Sequence, residues 1–218
     1  MKVGDCTVPT SRSVRNLGFY FDDVCDFNVQ VSQICKSVSF ALYRIGRIRH
    51  LLDHTRTERL IHAFVTSRLD YCNGMLHNLP ITLTKSLQRL QNSAARLVTR
   101  TTKNESIDPV LYSLHWLPVH QRIKFKILLF TYKILHDQAP SYLCDLVTVR
   151  ENLSMVHRSD TAVTLRPSRY QNECHGGRSF SVNAPRLWNA LPPHVRNAHT
   201  LDGFKTALKT HLFREYFL

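Results

Sequence analysis

The sequence predicts a mainly α-helical protein, a helical bundle with a short N-terminal β element and a loop-rich segment with a weak hairpin near the C-terminus. Two observations predict this class. Apolar residues recur at spacings of three and four between about residues 34 and 134, and again from 204 to 216, which places them on helix faces. Between about residues 148 and 177 this period is lost, and the sequence becomes polar and ends in a Gly-Gly pair.

The N-terminal half contains a strand followed by three helices. The strand is predicted over residues 14–22, with Gly18 inside it. The first helix is predicted from the apolar series Ile34, Val38, Leu42, Ile45, Ile48 and Leu52. Thr55 and Glu58 match a capping box that predicts the start of a second helix, which ends before Pro80. Its inward residues are Ile61, Phe64, Val65, Leu69, Cys72 and Leu76.

A third helix is predicted to begin near Thr82, and its apolar face consists of Leu83, Leu87, Leu90, Ala94 and Leu97. Asp108 and Pro109 then combine an N-cap acid with proline at the first helical position, which predicts a short helix up to the turn at residues 116–118. Residues 119–136 are predicted to form a further helix. Its apolar positions are Ile123, Ile127, Phe130 and Ile134.

The C-terminal part is interrupted at residues 137–140, and alternation at Val163 and Leu165 indicates the weak hairpin. Residues 186–191 are predicted to form a short helix. Thr200 is predicted to cap a last amphipathic helix with Phe204, Leu208, Leu212 and Tyr216 on one face. We therefore expect three parts, a β element at 1–26, a helical domain at 27–136 and a loop-rich region at 137–218.

The charge of the chain is strongly unbalanced, with 29 Lys and Arg against 16 acids and a net charge of +13. This favours polyanionic partners, nucleic acid before an anionic membrane surface. The longest apolar run is residues 127–130, whereas a membrane span needs roughly 20 residues, so neither a transmembrane segment nor a signal peptide is predicted. Six scattered cysteines without a Cys-x-x-Cys pair predict reduced thiols in an intracellular protein, cytoplasmic or nuclear.

A row of cations runs along the third predicted helix opposite its leucine face, and no acid occurs between Asp70 and Glu105. Such a row suits a phosphate backbone, because arginine bridges phosphate oxygens with two hydrogen bonds. The predicted nucleic-acid-binding residues on this helix are Lys85, Arg89, Asn92, Ser93, Arg96 and Arg100. The alternative for this row is an ordinary solvated helix face.

A second basic cluster lies in the helix predicted over residues 119–136, and it adds Arg122 and Lys126 to the predicted binding residues. Phe130 is expected to lie in the core. Phe125 and Tyr132 remain open between core packing and stacking on bases. A smaller cluster comprises Arg44, Arg47 and Arg49. His50 and His54 have no third ligand nearby and no zinc knuckle is complete, so neither a metal site nor a cofactor is predicted.

Five stretches of sequence carry a family resemblance, namely residues 63–73, 90–97, 114–119, 140–143 and 184–192. Together they resemble the region that lies after the polymerase palm in LINE-type (non-LTR) retrotransposon reverse transcriptases, from about Val14 to the C-terminus. The resemblance implies that residues 1–26 are a remnant of the palm edge and that residues 27–136 are similar to the thumb. The activity it implies for the parent family is RNA-directed DNA synthesis primed at a nicked target.

Residues 20–23 spell Tyr-x-Asp-Asp, the metal-binding turn of reverse transcriptases, whose paired carboxylates support two-metal phosphoryl transfer. Three observations argue against that role. Only 21 residues precede Asp22, no apolar strand comes after the motif, and Phe21 is bulky where the family has a small residue. Residues 14–18 resemble the strand after the catalytic turn instead, so we expect Asp22 to end a strand, Asp23 to begin a helix cap, and no catalytic residue.

The sequence therefore predicts a truncated reverse-transcriptase fragment that grips template or primer without catalysing synthesis. Its expected partners are RNA, DNA or RNA–DNA hybrid without strong sequence preference, and the oligomeric state is not predicted. The alternative function is a helical protein-interaction module that reuses the fragment. A weaker third hypothesis is an active polymerase that uses residues 20–23.

Overall fold

The computed structural model of the chain describes residues 11–150, 163–169 and 176–218, together with the backbone of two short paired strands near the N-terminus. It is mainly helical with short N-terminal antiparallel strands, as the sequence predicts. The helices are α1 (Asn28–Ile48), α2 (His54–Ile61), α3 (Ser67–Asp70), α4 (Ile81–Thr99), α5 (Asp108–Ser113), α6 (Val119–Leu135), α7 (Ser141–Cys144), α8 (Phe180–Ala190), α9 (Pro193–Arg196) and α10 (Leu201–Phe217). Short 3₁₀ turns occupy Arg49–Leu51, Asn73–Leu76 and Gly176–Arg178.

The strands in the described part of the chain form three antiparallel pairs. They are β1 (Lys2–Val3) with β2 (Cys6–Thr7), β3 (Ser13–Asn16) with β4 (Phe19–Asp22), and β5 (Thr148–Val149) with β6 (Leu165–Arg166). The last pair confirms a weak hairpin near the C-terminus. Asn189 fixes β6 through both of its amide atoms, since Oδ1 accepts from the Leu165 N–H at 2.9 Å and Nδ2 donates to the Leu165 carbonyl at 2.8 Å.

The single strand predicted over residues 14–22 is a β-hairpin. Leu17 and Gly18 both have positive φ, 47° and 84°, and form the two-residue turn between β3 and β4. Two positive φ angles characterise a type I′ turn, whose twist matches that of the flanking strands. The prediction was wrong here because Leu-Gly is not one of the dipeptides that usually mark this turn.

The contacts divide the chain into two units. Unit 1 comprises Met1–Cys72 and Leu79–Glu105, and unit 2 comprises Asn73–Asn78 and Ser106–Leu218. The division after Glu105 falls inside the predicted part 27–136. The three predicted parts therefore stay a prediction about domains.

In unit 1, α1 packs on α4, and both helices pack on the segment that starts with α2. The buried apolar residues are Phe19, Phe27, Val31, Ile34, Val38, Ile45, Ile61, Val65, Leu69, Leu79, Leu87, Ala94, Ala95 and Val98. The buried face of α4 is rotated from the predicted one. Leu83, Leu90 and Leu97 are only half-buried, whereas Gln91 is 2% exposed.

The second predicted helix has a different start and a different end. Asp53 is its N-cap, and the Asp53 carboxylate accepts from the Arg56 N–H at 2.6 Å, so the predicted capping role of Thr55 is wrong. The helix also does not continue to residue 79. A π turn at His62–Thr66 and the positive φ of Cys72, 51°, interrupt it. The extra residue of a π turn shifts the helix phase, and Phe64 is 49% exposed although it was predicted to face inward.

In unit 2, the core forms where α6, α8 and α10 meet. The Tyr132 ring stacks on Phe204 with centroids 4.3 Å apart, and Trp188 lies 5.8 Å from the same phenylalanine. Both polar tips are satisfied. The Tyr132 hydroxyl donates to the Ala198 carbonyl at 3.0 Å, and the Trp188 indole N–H donates to the Val163 carbonyl at 2.9 Å.

Three predictions for unit 2 have clear outcomes. Thr200 caps α10 by accepting from the Gly203 N–H at 3.1 Å, as expected. Phe130 is 42% exposed while Tyr132 is fully buried, so the core assignment of Phe130 was wrong. Asp108 is the first residue of α5 and not its N-cap, and its carboxylate accepts from the Tyr216 hydroxyl at 3.2 Å.

None of the helices in the described ranges combines the length and apolar composition that crossing a membrane requires. Cys25, Cys35, Cys72 and Cys144 are not joined by disulfides within the described part of the chain.

Candidate nucleic-acid interface

The burial of one side of α4 places the cations on its other side. Because Leu87, Ala94 and Val98 face the interior of unit 1, the remaining arc of the helix faces solvent. Lys85, Arg89, Ser93 and Arg100 are exposed, and Asn92 and Arg96 are half-buried. At 1.5 Å per residue, the row from Lys85 to Arg100 extends over roughly 20 Å. The structure therefore brings Lys85, Arg89, Asn92, Ser93 and Arg96 together on one side of α4, and Arg100 comes directly after the end of the helix.

The row has little internal neutralisation. Within the described residues, no carboxylate pairs with Lys85, Arg89 or Arg100. Glu105 is the acid beside the end of the row. Its carboxylate accepts from the N–H and the hydroxyl of Thr102 at 3.0 and 2.9 Å, and these bonds, with a smaller effect of Arg96, lower the pKa of Glu105.

Arg96 organises the loop behind α4. Its Nε donates to the Thr102 carbonyl at 3.1 Å, and its Nη2 donates to the Glu105 carbonyl at 3.0 Å. The guanidinium is thus held in one orientation, which reduces the entropy that it would lose on binding a phosphate. Arg96 therefore has a structural contact in addition to its predicted binding role.

The chain reverses at Arg100, whose φ of 60° ends α4 in the left-handed region. The reversal brings the next loop back over the cationic face. Together they form a depression of about 600 Å³ lined by Arg89, Asn92, Ser93, Arg96, Leu97, Thr101 and Lys103. Lys103 was not among the predicted binding residues, because it comes after the end of α4 and helical spacing does not include it. The signal was a lysine just after the end of a cationic helix.

The two neutral residues of the predicted set differ in their readiness to donate. The Asn92 Oδ1 accepts from Gln88 Nε2 at 2.8 Å, which orients the amide so that its NH₂ group is the available donor. The Ser93 hydroxyl donates to the Arg89 carbonyl at 2.9 Å, within α4. Asn92 is therefore the stronger candidate, and the donor role of Ser93 stays a prediction.

The second predicted cluster belongs to unit 2, whereas the α4 row belongs to unit 1. Arg122 Nε donates to the Leu117 carbonyl at 2.9 Å and so ties the start of α6 to the preceding turn. Lys124 forms an ion pair with Glu215 at 3.0 Å. Burial acts to raise the pKa of Glu215, but the Lys124 ammonium outweighs it and the net shift is downward. Lys126 is half-buried. Of the cations Arg122, Lys124 and Lys126, the first two therefore have contacts within the fold.

Arg49, from the third cluster, holds α4 in position. Its Nε and Nη2 donate to the carbonyls of Leu97 and Val98 at 2.7 and 2.8 Å, and Nη1 donates to the Leu52 carbonyl at 2.7 Å. These carbonyls include the last ones of α4, which have no partner within the helix. Partial burial and then the nearby charge of Arg100 lower the pKa of Arg49, while Asp53 opposes the shift.

The Tyr-x-Asp-Asp segment has a local structural role in unit 1. Asp22 ends β4 as expected, and its two carboxylate oxygens accept from the N–H groups of Asp26 and Phe27, both at 2.8 Å. Asp23 does not begin a helix cap. Its N–H donates to the Arg12 carbonyl at 3.1 Å, and α1 begins five residues later, after Phe27, without a side-chain cap. The expected role for Asp23 was therefore wrong.

Within residues 11–150, 163–169 and 176–218, no three side chains of His, Cys, Asp or Glu are grouped as metal ligands would be. The resemblance to LINE-type reverse transcriptases is based on the five stretches of sequence alone. Comparisons with models of known protein families, with curated proteins and with solved structures gave no match.

Proposed function

We propose that the chain binds nucleic acid by its sugar-phosphate backbone, through the exposed face of α4 and the loop behind it. The observation that carries this proposal is the row of Lys85, Arg89 and Arg96 on one helix face, with Arg100 directly after the helix end. Three of these cations have no carboxylate partner among the described residues, in a chain with a net charge of +13. An uncompensated row attracts a polyanion and releases the counterions condensed on it.

The chemistry of the face favours backbone contacts over reading of the base sequence. Lysine and arginine contact phosphates, which position a protein on nucleic acid but carry no sequence information. Asn92 is the amide of the row, and its oxygen accepts from Gln88, which leaves the NH₂ group as the donor. RNA, DNA and RNA–DNA hybrid are therefore all expected partners, with little sequence preference.

The resemblance to LINE-type reverse transcriptases supports the same site, because it aligns α4 with the thumb. We propose that this segment grips template and primer and does not itself catalyse synthesis. We place the protein in the cytoplasm or nucleus, where nucleic acid is present and cysteines stay reduced.

The salt dependence of binding tests the proposal. Lys85, Arg89 and Arg100 are replaced by Gln, since these side chains make no hydrogen bond within the described chain whose loss would disturb the fold. Affinity for a labelled duplex is then measured by fluorescence anisotropy over a series of salt concentrations. Each lost phosphate contact should flatten the log–log slope by about 0.9, so the triple variant should flatten it by about 2 to 3 units.

A matched control removes the same charge elsewhere. Arg59, Lys209 and Arg214 are exposed cations outside the α4 row, and their replacement by Gln lowers the net charge equally. The control should leave the slope within about one unit of wild type. If the α4 variant and the control behave alike, the row is a solvated face, and a protein partner becomes the better hypothesis.

A further inference from the structure

The outer face of α1 carries two exposed aromatic rings between cations. The interior side of α1 is buried against unit 1. On the opposite side, Lys36, Phe40, Tyr43 and Arg47 succeed one another at spacings of four, three and four. Phe40 is 62% exposed and Tyr43 is 63% exposed. Single exposed apolar residues are common, but two neighbouring rings at the same face are not explained by packing within the described chain.

The charge around these rings has one sign. α1 contains Lys36, Arg44 and Arg47 and no acidic residue. The Arg44 guanidinium carbon lies over the Phe40 ring, 5.7 Å from its centre, so a cation already faces one side of this ring. The pattern along the helix is therefore cation, ring, ring, cation, over roughly 16 Å from Lys36 to Arg47.

We propose that this face binds an unpaired strand of RNA or DNA, with bases stacked on Phe40 and Tyr43 and phosphates at Lys36, Arg44 and Arg47. Side chains three residues apart on a helix are neighbours, so the two rings can accept adjacent bases. Stacking does not depend on base identity, because every base has a flat π face. The proposal shares its class of ligand with the α4 row but uses different residues.

Charge complementarity and ring chemistry together select this ligand. Because α1 carries three cations and no acid, it favours an anionic partner. The exposed rings of Phe40 and Tyr43 favour a partner with flat rings. Unpaired nucleic acid offers both at regular spacing, whereas paired bases in a duplex present no free faces. An acidic protein helix is the competing occupant, since Leu51, 72% exposed, continues the apolar edge beyond α1.

The test compares a single strand with a duplex on the full chain. Phe40→Leu with Tyr43→Leu removes both rings and keeps apolar side chains at exposed positions. Binding of a labelled oligothymidylate should weaken at least about fivefold for each ring lost, while binding of a duplex of the same length should not change. The control is Phe130→Leu with Tyr142→Leu, which removes two rings of 42% and 69% exposure elsewhere and should leave both affinities at the wild-type value.

A direct signal of stacking comes from Phe40→Trp. The two native tryptophans, Trp116 and Trp188, are 4% and 1% exposed, so they give a constant background. Oligothymidylate should quench the emission of the new indole, and the duplex should leave it unchanged.

The outcomes separate this site from the α4 row. If the Phe40 and Tyr43 variant binds oligothymidylate as tightly as wild type, the α1 proposal is wrong and the face is assigned to a protein partner. Duplex binding that is lost in the α4 variant but kept in the ring variant upholds the proposed function independently. If oligothymidylate binding depends on the two rings but duplex binding is unchanged in the α4 variant, the α1 site is upheld and the α4 site is not.

Discussion

Replacing Arg49 should destabilise unit 1 although the residue is charged and lies at the protein surface. Its guanidinium donates three hydrogen bonds of 2.7 to 2.8 Å to carbonyls of Leu52, Leu97 and Val98. Two of these bonds join residues 48 and 49 positions apart, so they link the end of α1 to the end of α4. Arg49→Ala removes this link and leaves the terminal carbonyls of α4 to water.

The expected magnitude depends on the donor and its exposure. A hydrogen bond from a charged donor contributes about 1.5 to 3 kcal/mol, but these carbonyls are only partly buried and regain water when the arginine is lost. The three bonds together should therefore contribute about 2 to 4 kcal/mol, a large share of the 5 to 15 kcal/mol typical of a domain. Arg49→Lys keeps a cation at a helix C-terminus, which should recover only about 0.3 to 1 kcal/mol.

The free energy of unfolding is measured by urea denaturation, monitored by circular dichroism at the helix band. Arg47, which is exposed in the last turn of α1, provides the control, and Arg47→Ala should change stability by less than about 0.5 kcal/mol. If Arg49→Ala is as mild as Arg47→Ala, the three bonds contribute nothing to stability. If Arg49→Lys has the same free energy of unfolding as wild type, the planar geometry of the guanidinium does not contribute to stability.

Three further predictions concern the core, pH and the Tyr-x-Asp-Asp segment. Leu87, 1% exposed, should cost about 2 to 5 kcal/mol when changed to Ala, and half-buried Leu90 distinctly less, in urea titrations. Burial lowers the pKa of His77 in the folded chain, so as the pH falls this histidine is protonated in the unfolded chain before it is protonated in the folded one. Stability should then fall as pH decreases through about 6.5, less steeply in His77→Asn, in melting curves across that range. The wild-type chain should not extend a primer on RNA with Mg²⁺, and extension abolished by Asp22→Asn would contradict the structural role of that carboxylate.

The helices could be predicted because burial repeats along the chain, but their boundaries depend on contacts that the period does not contain. Asp53 and Thr55 are both good N-cap residues in the sequence. Asp53 is the cap because the backbone is extended there, with φ −75° and ψ 176°, directly after a 3₁₀ turn. That turn is held by the bond from Arg49 to the Leu52 carbonyl. The capping-box pattern predicted Thr55 because it contains neither this turn nor the contact of Arg49 with it.

The buried face of a helix was predictable only to within part of a turn. In α4 the predicted apolar face was Leu83, Leu87, Leu90, Ala94 and Leu97. The structure buries Leu87 and Ala94 of this set and adds Ala95, Val98 and Gln91, whose side-chain oxygen accepts from Gln88. Residue size along one helix does not reveal how close its partner helix lies.

In the candidate site, too, the sequence predicted only part of the arrangement, namely which cations share a helix face. The spacing of Lys85, Arg89 and Arg96 predicted a common face, and they share one because they belong to a single helix. Spacing could not show that Arg49 donates to backbone carbonyls of α4, since these two acceptors are nearly fifty residues away. Nor could it show that Lys103 joins the face, because that depends on the left-handed turn at Arg100. A cation that already binds carbonyls within the fold has fewer hydrogen-bond donors left for a phosphate. The cations without such bonds are therefore the ones on which an affinity for nucleic acid should depend.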